Sequence, residues 1–370
     1  MTRYNWQQPD WPRFRYDLQG VEDLLLRFAE KAGRVSGIME ALPANTQQDV
    51  IVETMLAEAL KTSEIEGEFP NKKAVLSSIR KNLGLHTDPK YVKDKSAAGL
   101  AELMIDVRKT FNHPLTEEKL FEWHRMLMRQ HTRIKAGKWR THKDPMQVIS
   151  GAIGKEKVHF EAPPSKRVPE EMSAFIQWFN DTAPGGRHEL KKSPVRAALA
   201  HLYFESIHPF EDGNGRIGRA VAEKALSQTL ERPVLLSLSR AIEANKERYY
   251  QSLEQAQLSN EVTTWVAYFV ATTLDAQEDA EAQVDFTLRK ARFFDRFQTQ
   301  LNERPKKVIN RMFEAGPNGF EGGMNARKYI SITGTSKATA TRDLQQLLEI
   351  GAFILEGNAG GRSTGYKVNF

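Results

Sequence analysis

The sequence contains no cysteine, which excludes disulfides and metal sites built from thiolates. It also contains no run of about 18 apolar residues, the length that a membrane-spanning helix needs, so we expect no membrane partner. The first thirty residues carry several acidic side chains and no basic segment ahead of an apolar run, which argues against a signal peptide. These absences together predict a cytoplasmic protein in a reducing compartment.

An excess of charge of one sign is also nearly absent, since 53 Lys and Arg stand against 47 Asp and Glu, a net charge of +6. Residues 301–370 hold ten basic and six acidic residues, so this last segment contributes ten minus six, or +4, of that excess. A nucleic-acid-binding module would explain the asymmetry, and an ordinary solvated basic face would explain it as well.

The most informative stretch is residues 208–219, which read His-Pro-Phe-Glu-Asp-Gly-Asn-Gly-Arg-Ile-Gly-Arg. Apolar residues recur at helical spacing before it, in 194–207, and after it, in 216–230, so it forms a turn between two helices. Glycines at 213 and 215 let backbone N–H groups approach a ligand closely, and the dipole of the second helix favours negative charge there. The stretch therefore predicts an anion-binding turn.

The polar side chains of this stretch are those that phosphate transfer onto a hydroxyl would need together. Arg216 and Arg219 are three residues apart on one helix face, where both guanidinium groups could hold neighbouring phosphates. Asp212 offers the hard oxygen ligand that Mg²⁺ prefers. His208 is a natural general base at neutral pH. Phe210, by contrast, is expected to anchor the turn in the core.

Every fixed position of the pattern His-x-Phe-x-Asp/Glu-Gly-Asn-Gly-Arg-x-x-Arg is present, so the chain resembles the Fic (filamentation induced by cyclic AMP) family. The resemblance covers roughly residues 100 to 275 and implies adenylyl transfer from ATP, with Mg²⁺, to a Ser, Thr or Tyr hydroxyl of a target protein or of the chain itself. It implies His208 as the base, Asp212 as the Mg²⁺ ligand, Gly213, Asn214 and Gly215 at the α-phosphate, and Arg216 and Arg219 on the outer phosphates. In the family, glycine at the position of 215 favours AMP transfer over phosphorylation. The sequence does not exclude another nucleotide donor, such as UTP.

A second resemblance concerns the helix predicted between Gln48 and Gly67. Its segment Thr62-Ser-Glu-Ile-Glu66-Gly67 fits the Ser/Thr-x-x-x-Glu-Gly/Asn pattern of the family's autoinhibitory helix. The pattern implies that Glu66 pairs with Arg219 and keeps that arginine from the γ-phosphate. A carboxylate in the last turn of a helix is disfavoured by the helix dipole, so some positive group should compensate it.

Two further segments resemble nucleotide-binding parts of the family. Short β-prone runs at 146–150 and 157–161 predict a β-hairpin after Gly137-Lys-Trp-Arg140, and in the family such a flap binds the target main chain by strand addition. The implied contacts of the flap are Val148, Ile149, Ser150 and Gly151. The helix through 248–257 implies that Tyr250 and Gln257 close the adenine and ribose pocket, with Gln257 standing where Asn is common.

We therefore expect a mainly α protein, a Fic-type helical bundle with a β-hairpin flap and a C-terminal winged helix-turn-helix domain. The predicted division is an N-terminal helical extension at 1–95, a catalytic domain at 96–275, a helical connector at 276–300 and the winged helix at 301–370. DNA is a candidate partner through residues 324–370, although winged helices also contact proteins.

Three alternatives stay open at this point. The same residues would serve removal of AMP as well as its addition, so the net direction is not fixed by the sequence. A DNA-binding regulator with a nucleotide-sensing Fic core is a different class of function, which the intact His208 disfavours. Self-association into a homodimer is neither required nor excluded.

Overall fold

A computed structural model describes residues 4–85, 94–131, 133–150, 157–356 and 365–370. In chain order its α-helices are α1 (Glu22–Ala41), α2 (Ala44–Ile65), α3 (Lys72–Asn82), α4 (Lys95–Lys109), α5 (Glu117–Leu127), α6 (Val168–Asp181), α7 (Ser193–Ile207), α8 (Asn214–Thr229), α9 (Leu238–Ala244), α10 (Lys246–Ala256), α11 (Thr263–Phe297), α12 (Glu303–Phe313), α13 (Ala326–Thr333) and α14 (Lys337–Glu349). The predicted mainly α class is confirmed. No helix of the described residues is both long and apolar enough to cross a bilayer.

The strands form two small antiparallel sheets. β1 (Gln147–Ser150) pairs with β2 (Lys157–Glu161), and the pairing shifts register between Val148 and Ile149. β3 (Phe353–Glu356) pairs with β4 (Gly365–Val368) in a regular register. Both hairpins were expected from the β-prone runs that flank glycine-bearing segments.

The chain divides into two compact units, residues 1–34 with 51–280 and residues 35–50 with 281–370. In the first unit α7 is buried along its entire length and packs along α8. A helix that is buried on all sides is typical of the centre of a bundle. The ends of α7 and α8 that meet at the 208–213 turn are therefore held by the core of this unit.

The second unit has its own apolar core, formed by residues that include Phe286, Phe293, Val308, Phe313 and Leu344. Within it α12, α13 and α14 are followed by the β3–β4 hairpin, and Met324 forms an additional bridge with Tyr366. This order of elements is the one expected from the sequence, and the designation as a winged helix stays a prediction. The tip of the hairpin, residues 357–364, lies outside the described residues.

Local sequence accounts for several helix starts. Thr116 accepts the N–H of Lys119 at the start of α5, as expected, and Asp94 accepts two N–H groups at the start of α4. The predicted helical connector at 276–300 lies mostly within α11, which starts at Thr263 and runs without a break to Phe297. No glycine or proline interrupts this segment, so nothing in the sequence marks a boundary near residue 275.

Candidate active site

The turn between α7 and α8 is fixed by its own residues. His208 ends α7 in the left-handed region, with φ 50° and ψ 61°, a conformation in which non-glycine residues are uncommon and cost about 1–3 kcal/mol. The Asn214 side chain exchanges two 2.9 Å hydrogen bonds with the backbone N–H and C=O of Phe210. Gly213 has φ 79°, and a Cβ there would lie 2.7 Å from Met128 Cε. The turn is therefore a strained but strongly braced frame for His208.

Two residues from other elements hold this turn from outside. His124 on α5 stacks on Phe210, accepts the Gly137 N–H at 2.8 Å through Nδ1, and lies 3.2 Å from the Asp212 carbonyl through Nε2. Because Nδ1 accepts, the ring proton is on Nε2, which donates to Asp212. Buried Arg140 donates to the carbonyl groups of His208, Pro163 and Ile207. Burial lowers the pKa of Arg140 to about 10, which leaves it charged at neutral pH.

The two arginines of α8 are paired with carboxylates that follow α2. Arg219 is 1% exposed; its Nη2 lies 2.7 Å from Glu66 Oε1, and its Nε lies 2.8 Å from Thr62 Oγ1. Arg216 Nη1 lies 2.6 Å from Glu68 Oε2. Burial lowers the pKa of Arg219, but the charge and hydrogen bond of Glu66 together with the charges of Tyr249 and Glu205 outweigh burial, so the pKa is raised overall.

The Glu66 carboxylate also lies directly over the start of α8. A Cβ built on Gly215 would be 2.2 Å from Glu66 Oε1, so only glycine allows this approach. The carboxylate therefore occupies the helix N-terminus at which the sequence predicted an anion, and it compensates the unfavourable position of Glu66 after α2. Gly67 has φ 80° and ends the α2 segment, as expected of a C-terminal cap.

Asp212 is the residue of the turn that faces solvent, with 48% of its side chain exposed. Its Oδ1 accepts the Gly213 N–H and lies 3.8 Å from Arg216 Nη2. Among the described residues no group of three or more His, Asp or Glu side chains forms a closed metal site. A single half-exposed carboxylate beside an anion site suits Mg²⁺, which takes one or two carboxylates and completes its shell with phosphate and water.

Sequence comparisons agree with this geometry. Residues 4–85 match a domain of unknown function, DUF4172, and residues 114–226, from α5 to α8, match the Fic/DOC family. The chain therefore contains a Fic domain at residues 114–226. It is 29% identical over 150 residues to protein adenylyltransferase fic-1 of Caenorhabditis briggsae, covering 40% of this chain and 25% of that protein. It is 28% identical over 162 residues to protein adenylyltransferase Fic of Nematostella vectensis, covering 43% of this chain and 33% of that protein. The matches thus span a quarter to a third of these curated relatives.

Solved structures show the same fold. A Fic family protein from Desulfovibrio desulfuricans G20 superposes with a TM-score of 0.57 at 19% identity, covering 96% of this chain and 98% of that one. A Fic domain containing signaling protein from Bacteroides thetaiotaomicron superposes with a TM-score of 0.54 at 18% identity, covering 71% of this chain and 97% of that one. At this identity the likeness concerns the fold alone.

The flap of this Fic domain is tied to α10 by side chains. His159 Nε2 lies 2.6 Å from Ser150 Oγ, and His159 Nδ1 lies 3.0 Å from Glu254 Oε2. Val148 is half-buried, whereas Ile149 is exposed, so β1 presents an apolar side chain to solvent. Gly151, the last predicted contact of the flap, lies outside the described residues.

The other predicted site residues form hydrogen bonds to backbone carbonyl groups. Tyr250 donates to the Ile65 carbonyl at 3.2 Å, which brings it to the end of α2 beside Glu66.

Gln257 is 4% exposed and donates to the Glu205 carbonyl at 3.2 Å, an arrangement that does not favour contact with a nucleotide. The Asn214 side chain is likewise committed to Phe210, so only its backbone N–H is suited to a phosphate. The side-chain amides of Gln257 and Asn214 are occupied in this way because buried backbone groups need hydrogen-bond partners.

Four residues with clear structural roles at this site were missed or left without a role by sequence reasoning. They are Glu68, His124, Arg140 and Glu205. Each contacts the 208–219 stretch from a distant part of the chain or from inside α7. Of these four, only Arg140 lies in a segment that the sequence analysis had singled out, the Gly-Lys-Trp-Arg segment ahead of the flap.

His124 provides a stability prediction. Burial lowers its pKa from 6.5 to about 4, so between these values the unfolded chain binds a proton that the folded chain does not. The histidine's contribution to folding is therefore complete above pH 6.5 and is lost as the pH falls toward 4, by on the order of 3 kcal/mol. Urea unfolding of wild type and His124→Gln from pH 4 to 7 should show a shallower acid decline in the variant. His188→Gln, at an exposed position, should retain the wild-type slope; parallel curves for all three would refute the assignment.

Proposed function

We propose that this Fic protein is a protein adenylyltransferase that transfers AMP from ATP to a Ser, Thr or Tyr hydroxyl of a target protein or of itself. The observation that carries the proposal is the convergence of His208, the Gly213–Gly215 turn and two buried arginines at the N-terminus of α8. The activity in the names of the relatives in Caenorhabditis and Nematostella supports the same reaction.

In the proposed step, the target hydroxyl oxygen attacks the α-phosphorus of ATP and gives its proton to His208. The new bond joins the hydroxyl oxygen to the α-phosphorus, and the bond to the oxygen bridging the α- and β-phosphorus atoms breaks, so pyrophosphate leaves. Backbone N–H groups of the turn stabilise charge on the α-phosphate, and Arg216 and Arg219 bind the outer phosphates. Mg²⁺ held by Asp212 would neutralise charge on the α- and β-phosphates. Val148, Ile149 and Ser150 of the flap are proposed to line the target groove, and Tyr250 the adenine pocket.

The resting state is proposed to be autoinhibited. Glu66 pairs with Arg219 and lies against Gly215, and Thr62 accepts a second hydrogen bond from the same arginine. A γ-phosphate and the Glu66 carboxylate are both anions that need Arg219, so they compete. Glu68 adds a second carboxylate on Arg216, so one short segment neutralises both phosphate-binding arginines.

The test is self-modification with α-labelled ATP and Mg²⁺. We expect weak labelling of wild type, strong labelling of Glu66→Gly, and none of Glu66→Gly combined with His208→Ala. Glu243→Gly, which removes a half-buried ion-pair partner of Lys61 and leaves Arg216 and Arg219 unchanged, is the matched control and should label like wild type. If Glu66→Gly also stays unlabelled when a cell extract supplies targets, the transferase proposal fails.

The opposite direction uses the same groups. A water positioned by Glu66 would attack the phosphorus of AMP-modified protein, and the target hydroxyl would leave with a proton. The 31% exposure of the Glu66 side chain leaves access for such a water. Loss of AMP from premodified protein on adding wild type, but not Glu66→Gly, would favour this direction.

A second function is proposed for the C-terminal unit, namely DNA binding through residues 324–370. It is favoured by the start of α14, where Lys337, Thr341 and Arg342 are exposed and suited to phosphates and groove edges. We expect the affinity for nonspecific duplex DNA to fall steeply with salt, and Lys337→Ala with Arg342→Ala to reduce that slope by about two. A slope near zero in wild type would remove this function.

A further inference from the structure

The buried face of α7 leads to the proposed base through two ionisable side chains, His201 and Glu205, that the proposed reaction does not use. His201, Glu205 and His208 follow one another at spacings of four and three residues, which places them on one side of the helix. Glu205 is buried, and its Oε2 lies 3.6 Å from His208 Nδ1. A carboxylate therefore stands directly behind the proposed base.

Several atoms of these three side chains have no other hydrogen-bond partner among the described residues. They include His208 Nδ1, Glu205 Oε1 and His201 Nδ1. Buried polar atoms are rarely left unsatisfied, and groups of catalytic sites often approach hydrogen-bond distance only when substrate is bound. The Nδ1 atom of His208 and the carboxylate of Glu205 are therefore each other's available partner.

The surroundings keep Glu205 ionised. Burial raises its pKa, but the hydrogen bond to His208 and the charges of His201, His208 and Arg219 outweigh burial, so the pKa is lowered. The titratable groups facing Glu205 are His201 and His208 on its own helix, Arg219 on α8, Glu66 after α2, and Tyr249 and Tyr250 on α10. Arg219 is the one permanent cation of this set, and it is shared with Glu66.

The backbone around Glu205 is shaped to keep the carboxylate in place. A Cβ on Gly218 of α8 would lie 2.3 Å from Glu205 Oε1, so the carboxylate rests against the bare helix backbone. Gln257 binds the Glu205 carbonyl. His208 leaves the helix in the left-handed conformation, which is the turn that brings its ring back toward Glu205 within one helical turn.

We propose that Glu205 is a positioning residue for His208. It accepts the Nδ1–H of the neutral imidazole, which fixes the tautomer whose Nε2 lone pair takes the hydroxyl proton, and it stabilises the imidazolium that results. The same arrangement of acid, imidazole and reacting group recurs in unrelated enzymes. The proposal rests on the proposed function only in naming His208 as the base.

The first measurement is independent of activity. In protein labelled with ¹⁵N-histidine, the ring resonances of His208 are assigned by their absence from His208→Asn. We expect the neutral ring of wild type to carry its proton on Nδ1, the minor tautomer of free histidine. In Glu205→Gln we expect the proton on Nε2, because a glutamine amide can donate to Nδ1. The same tautomer in both proteins would overturn the proposal.

The second measurement uses the activated Glu66→Gly parent. Adding Glu205→Gln should lower kcat roughly 10²-fold or more with little change in the KM for ATP. Glu205→Asp keeps the charge and should recover part of the loss, and Glu171→Gln, a buried carboxylate on α6, should behave like the parent. An unchanged kcat in Glu205→Gln, or no difference between Gln and Asp, would overturn the proposal. If the parent itself is inactive, the transferase assignment fails, and the tautomer measurement still decides the role of Glu205.

Discussion

Replacing His208 by asparagine in the Glu66→Gly parent is expected to lower AMP transfer by about 10²–10⁴-fold, the usual contribution of a positioned general base. Asparagine is chosen because it tolerates the left-handed backbone that His208 adopts, whereas alanine adds backbone strain to the loss of the base. The N–H groups and arginines that hold the phosphates are not altered, so ATP should bind with nearly unchanged affinity. Single-turnover labelling and calorimetric ATP titration of the same preparation check both statements.

The control for this variant is a second substitution that disturbs the turn and keeps His208. Asn214→Ala removes the two hydrogen bonds to Phe210 and leaves His208 in place. It should lower both ATP affinity and transfer, because the N–H groups lose their frame. If His208→Asn weakens ATP binding as strongly as Asn214→Ala does, His208 is part of the frame rather than the base. Retained transfer in His208→Asn would refute its assignment directly.

The parts of this site that could be predicted from the sequence are those formed by residues close together in the chain, within 208–219. The helix spacing of Arg216 and Arg219 and the glycine turn before them follow from local periodicity. The pairing of Glu66 with Arg219 was expected only through the family resemblance, and the structure adds the reason that glycine at 215 leaves room for the carboxylate. Local sequence thus specified the frame and its charges.

The remaining parts depend on tertiary contacts that periodicity does not encode. His124 reaches the turn from α5, and nothing in its own segment distinguishes it from an ordinary core histidine. Glu205 was hidden in the apolar run of α7, where the spacing to His208 acquires meaning only once the left-handed turn is known. The Gln257 amide donates to the buried Glu205 carbonyl, a contact that its sequence position did not indicate, and its nucleotide contact stays a prediction. Roles assigned by residue type are least reliable for amides, which satisfy backbone groups as readily as ligands.

The other large effect concerns the affinity for ATP. Releasing Arg219 by Glu66→Ala should tighten ATP binding by roughly ten- to a hundredfold, since a hydrogen bond to a charged group is worth about 1.5–3 kcal/mol. Releasing Arg216 by Glu68→Ala should have a smaller effect, because Glu68 is the more exposed carboxylate and its ion pair is better screened by solvent. Calorimetric Kd values for ATP with both variants and the double variant form a complete cycle.

The size of the coupling energy in that cycle distinguishes two forms of inhibition. If the segment after α2 leaves the site as one unit, removing Glu66 already frees Arg216, and the double variant should gain little over Glu66→Ala. If the two ion pairs break separately, the gains should add. AMP, which lacks the outer phosphates, is the matched ligand: its affinity should change far less, because both arginines are assigned to the β- and γ-phosphates. Equal gains for AMP and ATP would mean that Glu66 blocks the pocket by volume rather than by occupying the arginines.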